Sequence, residues 1–209
     1  MTTLIVIAKE PLPGRAKTRL HPPLSLEQAA QVAAAAIADT LQAMQSVPAS
    51  HRILLFEGEL VPAGAEDYEI VPQAQGGLDE RLATVFDLCD GPTLLIGMDT
   101  PQVTTHDVAP AFAHWPDDVD AWFGPASDGG FWALGLRNPT GDLVRGIPMS
   151  RDDTGARQLD RLHEFGLKVG LLPTLTDVDT VDDALEVAAL APGTRFAATL
   201  ESFMTGAAR

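Results

Sequence analysis

Cysteine is almost missing from this chain: Cys89 is the only one among 209 residues. An internal disulfide is therefore excluded, and a thiolate metal cluster built by this chain alone is excluded with it. Cys89 follows Ala83-Thr84-Val85-Phe86-Asp87-Leu88 and is expected as a buried, inert thiol lining a helix. Basic residues are scarce. Fourteen Lys and Arg against 29 Asp and Glu leave a formal net charge of −15. That balance argues against a nucleic-acid partner, because sequence-independent affinity for DNA or RNA comes from neutralising phosphates with a basic face. It also disfavours docking on anionic lipid. No apolar run approaches the ~20 residues that span a bilayer. Leu4-Ile5-Val6-Ile7-Ala8 is too short for the apolar region of a signal peptide, so the expectation is a soluble, cytoplasmic protein without a membrane partner.

Several catalytic signatures are absent as well. The first loop carries neither G-x-x-x-x-G-K-[ST] nor G-x-G-x-x-G, which disfavours a Walker-type NTPase, a kinase and a conventional NAD enzyme. No G-x-S-x-G elbow supports acyl-serine hydrolysis. His21, His51, His106, His114 and His163 show no metal-ligand spacing.

What is present is an ordinary globular composition, 45% apolar and 21% charged, long enough for one domain with a full core. We read one domain over 1–209, with 190–209 as a helical or partly frayed tail. Short apolar runs alternate with helical stretches. Strands are expected at Leu4–Ala8, Arg52–Phe56, Glu69–Val71, Thr93–Gly97, Ala121–Phe123 and Val169–Leu172, with another led in by Phe131-Trp132. Several are continuously apolar, as in strands buried on both faces of a parallel sheet. Helices are expected at Leu26–Met44, Leu78–Leu88, His106–His114, Gly155–Phe165 and Val181–Leu190. Ser25 with Gln28 forms a capping-box pattern ahead of the first helix. The fold class is α/β, a three-layer sandwich on a mostly parallel sheet.

The densest chemistry follows the first strand. Ala8 to Leu20 holds four of the fourteen basic residues, Lys9, Arg15, Lys17 and Arg19; cations serving only charge balance would be scattered. Pro11 and Pro13 stiffen the loop and Gly14 lets its backbone approach a ligand. Ligands of open α/β sheets bind beyond the carboxyl ends of the strands, and converging Arg and Lys suit a polyphosphate. Gln75-Gly76-Gly77 opens a helix containing Arg81, so its free amides suit an anion or a base edge.

Acids stand at the same kind of position. Leu94-Leu95-Ile96-Gly97-Met98-Asp99 is an apolar strand running into an aspartate. Magnesium characteristically takes one or two carboxylates together with substrate phosphates, and Asp99 is the best single candidate, helix capping by Asp99 or Thr100 being the plain alternative. In Asp177-Val178-Asp179-Thr180-Val181-Asp182-Asp183, helix capping accounts for Thr180, Asp182 and Asp183. Asp177 and Asp179 precede the cap and remain open as the second metal ligand, with Asp179 preferred. Asp128-Gly129-Gly130 lets backbone come close to a bound group, although Asp-Gly is also a common hairpin turn.

Taken in order, A-K-x-P-x-P-G-x-x-K-T-R-L from Ala8, the Gly76-Gly77 segment, I-G-x-D-T-P around Asp99, G-P-A-x-D-G-G-F around Asp128 and L-P-x-L-x-D-V-D-T around Asp179 make the chain resemble a known family. It is similar to the radical-SAM/selenodomain-associated, or arsenosugar-biosynthesis-type, transferases of the GT-A nucleotide-diphospho-sugar transferase superfamily. The resemblance covers roughly Leu4 to Leu185. The first motif is also similar, more distantly, to the guanylyltransferases of deazaflavin and molybdenum cofactor synthesis. The resemblance implies a GT-A fold, a nucleotide at the first-strand loop, and Mg²⁺ or Mn²⁺ on Asp99 and Asp179; Asp179 matches a second metal aspartate in a D-T-x-x-D segment. His21-Pro22-Pro23 and Met149-Ser150-Arg151-Asp152-Asp153 depart from the family pattern, at the loop exit and the acceptor pocket respectively.

The expectation is a transferase with a nucleotide or nucleotide-sugar donor and a small-molecule acceptor. Asp99, Asp128 and Lys17 are its candidate catalytic residues, and Asp128, Gly129 and Gly130 its acceptor contacts. Ala8, Lys9, Gly14, Arg15, Lys17, Arg19, Gly76, Gly77 and Arg81 are its nucleotide contacts. Glycosyl transfer is placed ahead of nucleotidyl transfer with pyrophosphate release. A catalytically silent nucleotide-binding module and a purely structural α/β protein are the readings from other classes.

Overall fold

A computed structural model describes residues 1–113 and 115–206. Seven strands form one sheet: β1 (Thr3–Lys9), β2 (His51–Glu57), β3 (Glu69–Pro72), β4 (Thr93–Gly97), β5 (Ala121–Pro125), β6 (Phe131–Leu136) and β7 (Val169–Leu171). Their spatial order is β3-β2-β1-β4-β6-β5-β7. All run parallel except β6, which lies antiparallel between β4 and β5. The expected α/β architecture on a mostly parallel sheet is what the chain adopts.

Strand alternation sends Leu4, Val6 and Ala8 to one face of β1 and Ile5 to the other, and both sets are buried, since successive side chains of a strand point to opposite faces. On the Leu4 face the sheet is covered by α1 (Leu26–Met44), through Ile37, Leu41 and Met44, and by α3 (Thr105–Phe112). On the Ile5 face lie α2 (Leu78–Asp87), through Leu82, Val85 and Phe86, and α4 (Thr154–Glu164), through Leu162. The Ser25–Gln28 capping box starts α1 as expected. Helix α3 begins at Thr104–Asp107, its own capping box, so neither Asp99 nor Thr100 caps it. The expected end of this helix at His114 lies outside the described residues.

A third apolar cluster lies outside α1. There α5 (Val181–Leu190) and α6 (Arg195–Gly206) pack Val187, Phe196 and Leu200 against Ala29, Val32 and Ala36. The carboxylate of Asp39 on α1 accepts the backbone N–H groups of Arg195 and Phe196, supplying acceptors that a helix start otherwise lacks. The stretch 190–206 thus ends in a docked helix; 207–209 lie outside the described residues. Cys89 differs from expectation. It sits just past α2, half-buried, with its amide on the Phe86 carbonyl, and burial raises its thiol pKa.

Candidate active site

The parallel strands deliver their carboxyl ends to one edge, and a cavity of about 1550 Å³ opens there. Strand β1 enters it at Ala8 and Lys9, the segment after β4 at Asp99, and the β5–β6 turn at Asp128. Asp177 and Asp179 arrive from the stretch before α5. That stretch is tied down by main-chain bonds: the Val178 amide donates to the Asp99 carbonyl at 2.9 Å, and Val178 itself is buried. Pinning Val178 inward sends its two acidic neighbours towards Asp99.

The loop after β1 is built on the same plan. Ala16 and Leu20 are fully buried, while Arg15 and Arg19 face the cavity. Gly14 has φ +74°, a region that costs glycine little and other residues more. Lys17 also has positive φ, 50°, and starts the 3₁₀ turn Thr18–Leu20. Its side chain is only 6% exposed. The ammonium stands 2.6 Å from Asp99 Oδ1 and 3.3 Å from Asp179 Oδ1; Arg19, largely exposed, reaches Asp179 Oδ2 at 3.5 Å. Burial pulls the lysine pKa down, but the charges of Asp99 and then Asp179 outweigh it and hold the group above the ordinary lysine range. Lys17, expected on donor phosphates, is found between the two candidate metal carboxylates.

Asp177 is the site residue that sequence reasoning left undecided. Burial first, then the negative charges of Asp99, Asp128 and Asp179, push its carboxyl up to about 7, with Lys17 opposing them. A group protonated in the folded state at pH values where the unfolded chain has ionised it costs stability as pH rises. From its unfolded value near 4 up to about 7, the folded protein binds more protons. Stability is accordingly expected to fall through that window and level off above it. Denaturant midpoints between pH 4 and 8 should show the slope for the wild type. In Asp177→Asn the slope should be reduced, with a gain at pH 8; an identical slope would remove Asp177 as its source.

The remaining candidates divide. Asp128 lines the cavity but its Oδ1 accepts the Gly130 amide at 2.8 Å, closing its own turn. Gly129 and Gly130 pack against the start of α4, with the Gly155 amide donating to Gly129 O. Gly76, φ +111°, and Gly77 line the opposite wall, where Gly77 caps α2 without a side-chain bond. Arg81 is committed to this wall rather than to open space: it donates to Gly76 O, Gln73 Oε1 and Glu57 Oε2. Gln73, which sequence reasoning passed over, donates from Nε2 to Ala8 O at 2.8 Å and so joins β1 to the Gly76 loop. Met149, Ser150, Arg151 and Asp152 form the cavity wall at the mouth of α4; only their departure from the family pattern marked them.

Among the described residues, no group of three or more His, Cys, Asp or Glu side chains is arranged to hold a metal ion. The two-carboxylate set does suit a hard cation that completes its shell with phosphate oxygens. The buried Oδ1 of Asp99 has a single partner, the Lys17 ammonium at 2.6 Å.

The fold is shared by solved structures, among them one named for nucleotide-diphospho-sugar transfer and one named as a cytidylyltransferase. A Desulfovibrio desulfuricans G20 protein, provisionally named as a nucleotide-diphospho-sugar transferase, is similar at TM-score 0.83 and 24% identity; the match covers 96% of this chain and 94% of that one. CMP:2-keto-3-deoxy-manno-octonic acid synthetase, in complex with CTP, matches at TM-score 0.59 and 12% identity over 91% and 98% of the two chains. The 2-C-methyl-D-erythritol 4-phosphate cytidylyltransferase of Thermus thermophilus matches at TM-score 0.55 and 14% identity over 92% and 100%. By its residues 28–151, the chain belongs to the family DUF2064, described as an uncharacterized protein conserved in bacteria. No curated protein matches it. Among the described residues, no helix is long and apolar enough to cross a membrane.

Proposed function

We propose that this protein is a metal-assisted transferase working as one domain in the cytoplasm. It takes a nucleotide sugar as donor and passes the glycosyl group to a small-molecule acceptor, in the manner of the arsenosugar-biosynthesis-type transferases its motifs resemble. The observation that carries this reading is the meeting of Asp99 and Asp179 with Arg15 and Arg19 at one cavity edge. Asp99 and Asp179 would hold Mg²⁺ or Mn²⁺, which when bound stabilises negative charge on phosphate oxygens. Arg15, Arg19 and Lys9 bind and orient the donor's phosphates with charge-assisted bonds. The amides at Gly76 and Gly77, together with Ala8, all at the same cavity, would contact the nucleoside. Asp128, Gly129 and Gly130 would receive the acceptor on the opposite side, with Asp128 taking its proton. Such a site accelerates reaction by positioning and by fixed charges aimed where charge develops.

Nucleotidyl transfer is the second reading, favoured by one observation: three cations, Lys9, Arg15 and Arg19, line one end of the cavity, a density that suits a triphosphate. A thermal-shift screen of nucleotide sugars and nucleoside triphosphates, each with and without Mn²⁺, tests both. Saturating donor at about 100 Kd should add about 2.7 kcal/mol, roughly 5–10 °C for a chain of this size, and only with the metal. Assay of the stabilising donor with candidate acceptors then separates the chemistries: pyrophosphate release requiring both substrates establishes nucleotidyl transfer. A donor shift that ignores the metal would indicate a silent binding module. No shift with any nucleotide would leave a structural protein.

A further inference from the structure

We propose that Lys17 is a resident counter-ion that competes with the divalent cation for Asp99 and Asp179, so that metal enters tightly only when donor phosphates give the ammonium another partner. The inference rests on the transferase reading and concerns how its site is assembled.

The point between Asp99 Oδ1 and Asp179 Oδ1 has room for one cation at a time. Lys17 Nζ contacts Oδ1 of Asp99 and Oδ1 of Asp179, the oxygens that converge on a common point. A magnesium ion binds its oxygens at about 2.0–2.1 Å and would need the volume that Nζ fills. Two positive centres that close, in a site where Lys17 is almost shut off from water, repel strongly. Lys17 nevertheless has somewhere to go. A recess of about 160 Å³ adjoins it, bounded by Lys9, Arg15, Thr18, Arg19 and Met98 as well as by the two aspartates, and a lysine stem is long and flexible. That recess is edged by three other cations, so the ammonium is unwelcome there until an anion arrives. Phosphate supplies the anion. Metal and donor should each tighten the other, since coupling between two ligands is reciprocal. Until then, Lys17 keeps Asp99, Asp177 and Asp179 from facing one another uncompensated.

The primary measurement is calorimetric titration of Mn²⁺ alone into wild type and Lys17→Met. Without the competing ammonium, Mn²⁺ should bind at least about tenfold more tightly; an affinity that is unchanged or weaker overturns the proposal. A second measurement uses only the wild type and needs no variant to fold. Acetic anhydride labelling followed by mass spectrometry reads Lys17 against Lys168, with Lys9 as the other lysine in the chain. Saturating Mn²⁺ should raise Lys17 acetylation several-fold relative to Lys168, and flat labelling would count against displacement. The two readings of the site fail separately: if no nucleotide binds, the transferase proposal falls, yet tighter Mn²⁺ binding in Lys17→Met would still stand.

Discussion

Asp99→Asn should reduce metal-dependent donor binding sharply and lower transfer by roughly 10²- to 10³-fold, the range seen when one element of fixed transition-state electrostatics is removed. The substitution keeps shape and one acceptor oxygen but deletes the negative charge on the residue best placed for a cation. Asp99, two residues past β4, is held there by its carbonyl's bond to the Val178 amide, so the amide variant should sit in the same place. A cost in stability accompanies the loss. Lys17, nearly buried, would keep only Asp179 at 3.3 Å. Breaking a buried pair by removing one partner costs about 3–5 kcal/mol; with the Asp99 side chain 37% exposed, water screens part of it, and about 1–3 kcal/mol is expected. Titration of donor with and without Mn²⁺, beside a melting curve, separates the two effects. A variant whose metal-dependent affinity matches wild type would remove Asp99 from the site's chemistry.

Gly129→Ala should have the largest effect on stability. Gly129 has φ +90°, and a Cβ there would press into the carbonyl oxygen of Asp152 and lie 2.8 Å from its carbon. Neither obstacle is the tip of a flexible side chain. Backbone strain of about 1–3 kcal/mol adds to overpacking of similar size, giving about 3–5 kcal/mol and a melting point roughly 10 °C lower. Gly155 reinforces the point from the other side, since its Cβ would meet Gly130 O at 2.5 Å. The two segments are thus locked backbone to backbone, Asp128 on one and Arg151 and Asp152 on the other. Alanine at Gly146, where φ is +80° but nothing lies within 4 Å, should cost only the strain and serves as the control. Equal melting points for the Gly129 and Gly146 variants would mean that the contact with Asp152 is not rigid.

The elements that can be read along the chain are those whose signals are local. Helix α1 is legible from Ser25, Gln28 and the apolar spacing of Ile37, Leu41 and Met44, and α5 from Thr180 with the acids of its first turn. The buried strands β1, β2 and β4 are legible as unbroken apolar runs. The clustering of Lys9, Arg15, Lys17 and Arg19, and an aspartate at the end of β4, already point to the carboxyl edge of the sheet. Docking of α6 is less legible, because Phe196 and Leu200 gain their meaning only from the groove beside α1.

Local propensity and chain order therefore determined the α/β alternation, the helix caps and the set of charged segments that reach one edge, because each depends on neighbours within a few residues. Which charges face which was decided by the tertiary structure. Lys17 lies 162 positions from Asp179, Arg81 is paired with Glu57 on the cavity wall, and Asp177 acquires its raised pKa from burial and from three other acids. Electrostatic energy depends on distance and on exclusion of water, and neither quantity exists for these residues until the sheet is assembled.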